Sequence, residues 1–237
     1  MSRVSRFVLT DVPYHITQRG NFQQVVFLED EDWRFYLDRL SQYSCKWKLD
    51  ILAYCLMNNH VHLVVIPREK SSLAKSLGTL NMCYSQYFNK KHDRQGHLWQ
   101  ARFYSAIMDD GHLYATVRYV EQNPTRAGLV QYPWDWAWSS ARTHLGVARS
   151  PVALFDVNSV MKVTDWKKYL AGCEEDDVLD NIRQCTYKGK VLGSVEFVHK
   201  LEKMTGCLLQ SRPSGRPKKT RDSSQKSTVP SFYADEV

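Results

Sequence analysis

Ala53-Tyr54-Cys55-Leu56-Met57-Asn58-Asn59-His60-Val61-His62-Leu63-Val64-Val65-Ile66-Pro67 reads as two apolar strands joined at Asn58-Asn59, with two imidazoles set into the second. The first of these strands is expected from about Leu49 to Leu56, and Asn-Asn tolerates the positive φ that a tight hairpin turn favours. In an extended strand alternate side chains share a face. His60 and His62 therefore point the same way, about 6 to 7 Å apart along the strand, while Val61, Leu63 and Val65 occupy or flank the core side. That spacing lets both imidazoles reach one divalent metal ion. Taken alone, His-x-His is more often a half-exposed strand with two surface histidines.

Upstream, Tyr14-His15-Ile16-Thr17-Gln18-Arg19-Gly20-Asn21 alternates in character and ends in Gly-Asn, a strand entering a turn. Asp30-Glu31-Asp32 supplies first-turn acids for a helix from about Glu31 to Cys45, whose Trp33, Tyr36, Leu37, Leu40 and Tyr43 recur at helical spacing. Downstream, Ser71-Ser72 caps a helix to about Asn89, with Leu73, Leu77, Leu80, Tyr84, Tyr87 and Phe88 as its core stripe. A basic loop from Lys90 to His97 leads to a fourth strand in the second half of Leu98–Met108. Asp109-Asp110 then caps a helix running to Asn123, where Pro124 stops it. The order β-α-β-β-α-β-α is the split β-α-β arrangement of ferredoxin-like folds. It predicts an α+β protein, an antiparallel sheet with helices on one face.

Within 237 residues the division expected is a catalytic domain over 1–148, a small helical module over 149–209 and a basic tail over 210–237 that is Ser-, Pro- and Lys/Arg-rich and poor in apolar residues. No stretch approaches the roughly 18 apolar residues a spanning helix needs, and Met1 to Leu9 lacks a signal peptide's apolar run, so a cytoplasmic protein with no membrane partner is expected. Six scattered cysteines without a Cys-x-x-Cys pair argue against a disulfide scaffold and a zinc ribbon. The net charge of +7 favours polyanionic partners, nucleic acid first. Trp134, Trp136 and Trp138 fall at period two and are expected on one side of an extended flap, sealing the core or stacking on bases.

On the helix before Pro124, Ala115, Tyr119 and Asn123 lie four apart and stack along one face. An Asn123 amide oxygen would add a third ligand to the two imidazoles and leave positions for phosphate and water. The ion would polarise a phosphodiester while the Tyr119 hydroxyl attacks phosphorus in line. Each residue alone also suits a plainer role, Tyr119 as a core aromatic and Asn123 as a helix-end residue before proline. Tyr114 is a rival nucleophile, but five residues of helix rotate it roughly 140° from the Asn123 face.

Tyr14-His15-Ile16-Thr17-Gln18-Arg19-Gly20-Asn21, Met57-Asn58-Asn59-His60-Val61-His62-Leu63, Gly96-His97-Leu98-Trp99-Gln100-Ala101-Arg102-Phe103, Arg118-Tyr119-Val120-Glu121-Gln122-Asn123-Pro124-Thr125-Arg126-Ala127-Gly128-Leu129-Val130 and Trp138-Ser139-Ser140 occur in that order. In this set the chain resembles the REP-associated tyrosine transposases, a branch of the single-tyrosine HUH superfamily. The resemblance implies that His60 and His62 hold Mg²⁺ or Mn²⁺ and that Tyr119 forms a 5′-phosphotyrosine with single-stranded DNA, releasing a 3′-hydroxyl. It further implies REP-type hairpins as target. Asn123 falls where relatives carry a metal-binding glutamine, one methylene longer, and Asn58 stands where the family often has proline.

Arg19, Arg94, Arg102, Arg118 and Arg126 are candidate phosphate or base contacts, each equally readable as a solvated charge. Ser214-Gly215-Arg216-Pro217-Lys218-Lys219 resembles an AT-hook core, with Arg216 for the minor groove and Lys218 and Lys219 for phosphates. Against nicking and strand transfer by a monomer or homodimer stand two other readings. One is a non-catalytic, domesticated regulator that binds REP-like palindromes. The other is a structural zinc site of Cys55, His60 and His62.

Overall fold

The computed structural model describes residues 8–206 and 208–209. Five strands, β1 (Tyr14–Arg19), β2 (Leu49–Met57), β3 (His60–Pro67), β4 (Tyr104–Met108) and β5 (Val191–Leu192), form one sheet in the order β2-β3-β1-β4-β5. All neighbours are antiparallel except β4 and β5, which run parallel. The hairpin between β2 and β3 forms as expected, with Met57 opposite His60. Its turn does so without positive φ, since among the described non-glycine residues that region holds only Asp11, Phe22, Gln23, Lys48 and Asp93. The turn is instead pinned from outside, its carbonyls accepting from Gly20 N–H at Asn59 (2.8 Å) and Val26 N–H at Asn58 (2.8 Å). A Cβ on Gly20 would lie 2.3 Å from the Gln24 carbonyl oxygen, so only glycine lets this strap close on the turn.

Helices α1 (Asp30–Lys46) and α2 (Ser72–Lys91) cover one face of the sheet. Their apolar stripes, Trp33, Tyr36, Leu37 and Leu40 from α1 and Leu73, Leu77, Leu80, Tyr84 and Phe88 from α2, meet Tyr54, Leu56, Val61, Leu63 and Val65 in a dense core. The α+β class and the β-α-β-β-α-β-α order are those the sequence implies, but the expectation of helices on one face is corrected. The alternate residues Ala53, Cys55, Met57, Val64 and Ile66 are apolar too and need cover of their own. Helix α3 (Asp110–Glu121) supplies it with Leu113, Val117 and Val120. Its start is capped by Asp109, which accepts from the His112 N–H at 2.9 Å.

Residues 149–209 hold α6 (Trp166–Ala171), α7 (Asp176–Lys188) and α8 (Val195–Thr205) together with β5. Leu179 and Ile182 of α7 and Leu192 of β5 belong to this second core, so the segment extends the same sheet and closes over the face that carries the histidines. Pro124 does not simply end α3: after Gln122 the chain turns into α4 (Asn123–Arg126), with the proline inside its first turn, where a missing N–H costs nothing. A further short helix, α5 (Ala141–His144), follows the tryptophan segment. The three tryptophans do not share a side. Trp138 packs on Trp33 in the first core, Trp136 joins the second with its indole N–H on the Leu56 carbonyl (2.9 Å), and Trp134 stacks on Tyr132. They wrap the free edge of β2, to which Cys55 and Ser139 add a bridge. Among the described residues no helix is long and apolar enough to cross a membrane.

Candidate active site

His60 and His62 do share a face, with ring centroids 4.9 Å apart. They line a cavity of about 480 Å³ between β1, β3, the α3–α4 junction and α7. Tyr119 and Asn123 line the same cavity, so the four residues singled out from sequence converge although Asn123 lies in α4 and not at the end of α3. Tyr119 stands edge-on to His62, ring centroids 5.5 Å apart. The Asn123 amide nitrogen donates to the Tyr119 carbonyl (3.2 Å), which leaves the carboxamide oxygen for other partners.

Burial and the charge of Arg19 push His60 down to about 4. His62 is held well below the ordinary histidine range, first by burial and then by His60, His15 and two arginines nearby. Both rings are therefore neutral at neutral pH, the form in which imidazole offers a lone pair to a metal. Two imidazoles and one carboxamide oxygen suit a divalent ion whose remaining ligands come from substrate or water. They do not make a closed site: among the described residues no group of three or more His, Cys, Asp or Glu could hold a metal. The Cys55–His60–His62 zinc reading therefore finds no ligand set among the described residues. The Cys55 thiol is wholly buried, 3.7 Å from the Met57 sulfur, and burial pushes its pKa up, away from the thiolate that zinc requires.

Several lining residues carried no signal that sequence reasoning took up. His15 of β1 is buried against His62, with Nε2 2.9 Å from His62 Nδ1, and its Nδ1 lies 2.7 Å from the Thr186 hydroxyl of α7. The alternation of β1 places His15, Thr17 and Arg19 on one face, which was available as a clue. Arg183, Thr186 and Tyr187 from α7 could not be placed there without knowing that the helix folds back over the sheet. The Arg183 guanidinium lies 5.8 Å from the Tyr119 ring centroid. Burial alone would lower its pKa, but hydrogen bonds to the Tyr119 phenol and Asp180 outweigh that and hold it above the usual value.

Of the predicted arginines, Arg19 and Arg126 reach the cavity. Arg126 lies over the Tyr119 ring at 4.3 Å and donates to the Tyr119 carbonyl (2.6 Å), while its Nη1 is buried without a partner. Arg102 is exposed on a neighbouring groove that meets the cavity at Gln100, and Arg94 lies exposed over Phe88. Arg118 points elsewhere. Its guanidinium pairs with Glu174, donates to the Tyr169 carbonyl (2.8 Å) and stacks on the Tyr169 ring, fastening α3 to the α6 region. Arg216, Lys218 and Lys219 lie outside the described residues. The rival Tyr114 is also elsewhere, its hydroxyl accepting from the Lys162 N–H at 2.8 Å.

Three arginines and no carboxylate line the cavity, an arrangement suited to an anionic substrate. The chain is similar to a protein of Haemophilus influenzae described as a REP-associated tyrosine transposase, 25% identical over an alignment of 142 residues that covers 52% of this chain and 81% of that protein. Among solved structures it is similar to a REP-associated tyrosine transposase bound to a REP hairpin (18% identity, 66% of this chain, 93% of that one, TM-score 0.49). It is also similar to a transposase-like protein of Deinococcus radiodurans (20% identity, 52% and 97%, TM-score 0.36). Residues 8–123, from the start of the described chain to the last of the four convergent site residues, match the family described as "Transposase IS200 like".

Proposed function

We propose that this protein cuts and rejoins single-stranded DNA through a 5′-phosphotyrosine on Tyr119, at REP-type hairpins, in keeping with its similarity to a REP-associated tyrosine transposase of Haemophilus influenzae. The observation that carries the reading is the pairing of Tyr119 with His62, ring centroids 5.5 Å apart, inside a cavity that holds three arginines and no acid. The Tyr119 oxygen forms a bond to the scissile phosphorus as the bond from phosphorus to the 3′-oxygen breaks. The phenol proton leaves to solvent and the departing 3′-oxygen gains one. Attack by a 3′-hydroxyl on the phosphotyrosine reverses the step, so one phosphodiester is exchanged for another with no net hydrolysis. Arg126, with an unpaired buried Nη1, and Arg183 supply cationic donors to the phosphate as charge accumulates. Edge-on packing of Tyr119 against His62 and the Arg126 guanidinium above its ring hold the phenol in place.

His60, His62 and Asn123 are the residues that would hold Mg²⁺ or Mn²⁺, which when bound polarises the scissile phosphodiester. Their donors are all neutral and sit among arginines, so tight occupancy requires the negative charge that a DNA phosphate brings. The test is a labelled single-stranded hairpin oligonucleotide incubated with the full chain and either metal. Cleavage with the 5′ end of the downstream fragment retained on denatured protein is expected. Hairpin binding without cleavage in either metal would assign the chain to the non-catalytic regulators instead.

A further inference from the structure

Behind His62 runs a chain of hydrogen bonds whose direction is fixed at one end. The Thr186 hydroxyl lies 2.7 Å from the Ile182 carbonyl, which can only accept, so its single proton is given there. At His15 Nδ1, 2.7 Å away, the Thr186 oxygen must then accept, and His15 carries its proton on Nδ1. His15 is 1% exposed and no carboxylate lines the cavity to balance a second ring proton, so Nε2 is the acceptor, and the atom 2.9 Å from it is His62 Nδ1. The two rings are 7° from parallel with centroids 5.1 Å apart, and with nitrogens this close they meet edge to edge, as an in-plane N–H···N bond requires.

We infer that Thr186 and His15 form a relay that fixes His62 as its Nδ1–H tautomer and so presents the Nε2 lone pair to the cavity. His60 reaches the same state by an unrelated device. The Asn59 carboxamide oxygen accepts from His60 Nδ1 at 2.6 Å, and that amide is oriented by its own nitrogen on the Gln23 carbonyl (3.3 Å). Two neighbouring imidazoles are thus set to one tautomer by different partners, an arrangement that serves a common metal and has no evident use in plain packing. The inference rests on the metal reading of His62 and adds positioning residues to it. One of them, Thr186, lies in α7, beyond residues 8–123 that match the family, so the C-terminal segment completes the site.

Long-range ¹⁵N–¹H spectra of metal-free, histidine-labelled full-length protein read the tautomer directly. His62 is expected as Nδ1–H, and finding it as Nε2–H overturns the relay whether or not any variant folds. Mn²⁺ titration with a single-stranded hairpin oligonucleotide present then reads its consequence. Thr186→Val and His15→Phe are expected to weaken Mn²⁺ binding by about 10–100-fold, and His15→Gln, whose carboxamide oxygen can accept in place of Nε2, to recover most of it. Unchanged Mn²⁺ affinity in a folded His15→Phe protein overturns the positioning role. Wild-type protein that binds no Mn²⁺ while showing the Nδ1–H form would overturn the metal reading itself, which separates the two failures.

Discussion

The two faces of the sheet are built from the same strands and do opposite things. On the α1/α2 face, β2 and β3 present Tyr54, Leu56, Val61, Leu63 and Val65 to helices whose apolar stripes cover them. On the other face the same strands present Ala53, Cys55 and Met57 beside His60 and His62, and the cover is incomplete, leaving the cavity. One ionised group on each face makes the contrast concrete. Asp32 on the closed face is satisfied by the N–H groups of Leu28 and Glu29 and by His92 and Lys91. On the open face, Arg126 keeps an N–H unpaired and two imidazoles keep a nitrogen for something outside the chain. A closed face that stabilises can thus support an open face that leaves groups available for chemistry.

Adjacent residues of one strand should therefore separate activity from stability. His62→Ala is expected to lower the nicking rate by on the order of 10³-fold, about 4 kcal/mol of barrier, in protein that remains folded. A variant that cuts at the wild-type rate would remove His62 from the reaction. Leu63→Ala on the opposite face should cost about 3 kcal/mol in urea denaturation, with normal cutting by the protein that remains folded. Loss of activity without loss of stability there would break the division between faces.

Acid should also tell the faces apart. Unfolded histidines take up protons near pH 6.5, whereas burial holds folded His15 down to about 3, and burial with Arg19 holds His60 at about 4. The unfolded chain binds the extra protons in between, so this stability is present above 6.5 and is lost as pH falls from there, at up to roughly 1.4 kcal/mol per pH unit for each ring. For Asp32, burial alone would raise the carboxyl, but hydrogen bonds from Leu28, His92, Glu29 and Lys91 overcome it and hold the group below its usual value. Its contribution is lost only below the ordinary carboxylate range. Urea denaturation between pH 7.5 and 5 should show the histidine loss, and a flat profile would contradict the burial of neutral rings. The smallest effect is expected at Arg102, exposed beyond Gln100, where Ala should weaken DNA binding less than tenfold and lower the salt slope by about 0.7. Arg118→Ala should leave that slope unchanged, since its guanidinium is engaged with Glu174 and Tyr169.

The closed face was legible in the sequence because helical stripes and strand alternation are local signals, and α1, α2 and the β2–β3 hairpin lie within about two residues of where periodicity puts them. His60, His62, Tyr119 and Asn123 were legible for the same reason, each pair sharing a face or a helical repeat within one element or its continuation. The second cover was not, although Ala53, Cys55, Met57, Val64 and Ile66 show that it is needed. What covers them, α3 with α7, is decided by long-range packing that no local period encodes. Thr186 illustrates the limit. It reads as an ordinary helix residue until α7 is placed over β1, where it meets His15 across 171 positions of sequence. Arg118 errs the other way, since a basic residue beside the candidate nucleophile looks like a DNA contact and is in fact an internal fastener.

Tyr119 is the residue on which the account turns, and Tyr104 and Tyr187 also line the cavity. The most direct measurement is mass spectrometry of the denaturant-resistant adduct formed with a single-stranded hairpin oligonucleotide and Mg²⁺ or Mn²⁺. The nucleotide is expected on the peptide that contains Tyr119, with no adduct from Tyr119→Phe. An adduct that persists in Tyr119→Phe, or that maps to Tyr104 or Tyr187, would contradict it.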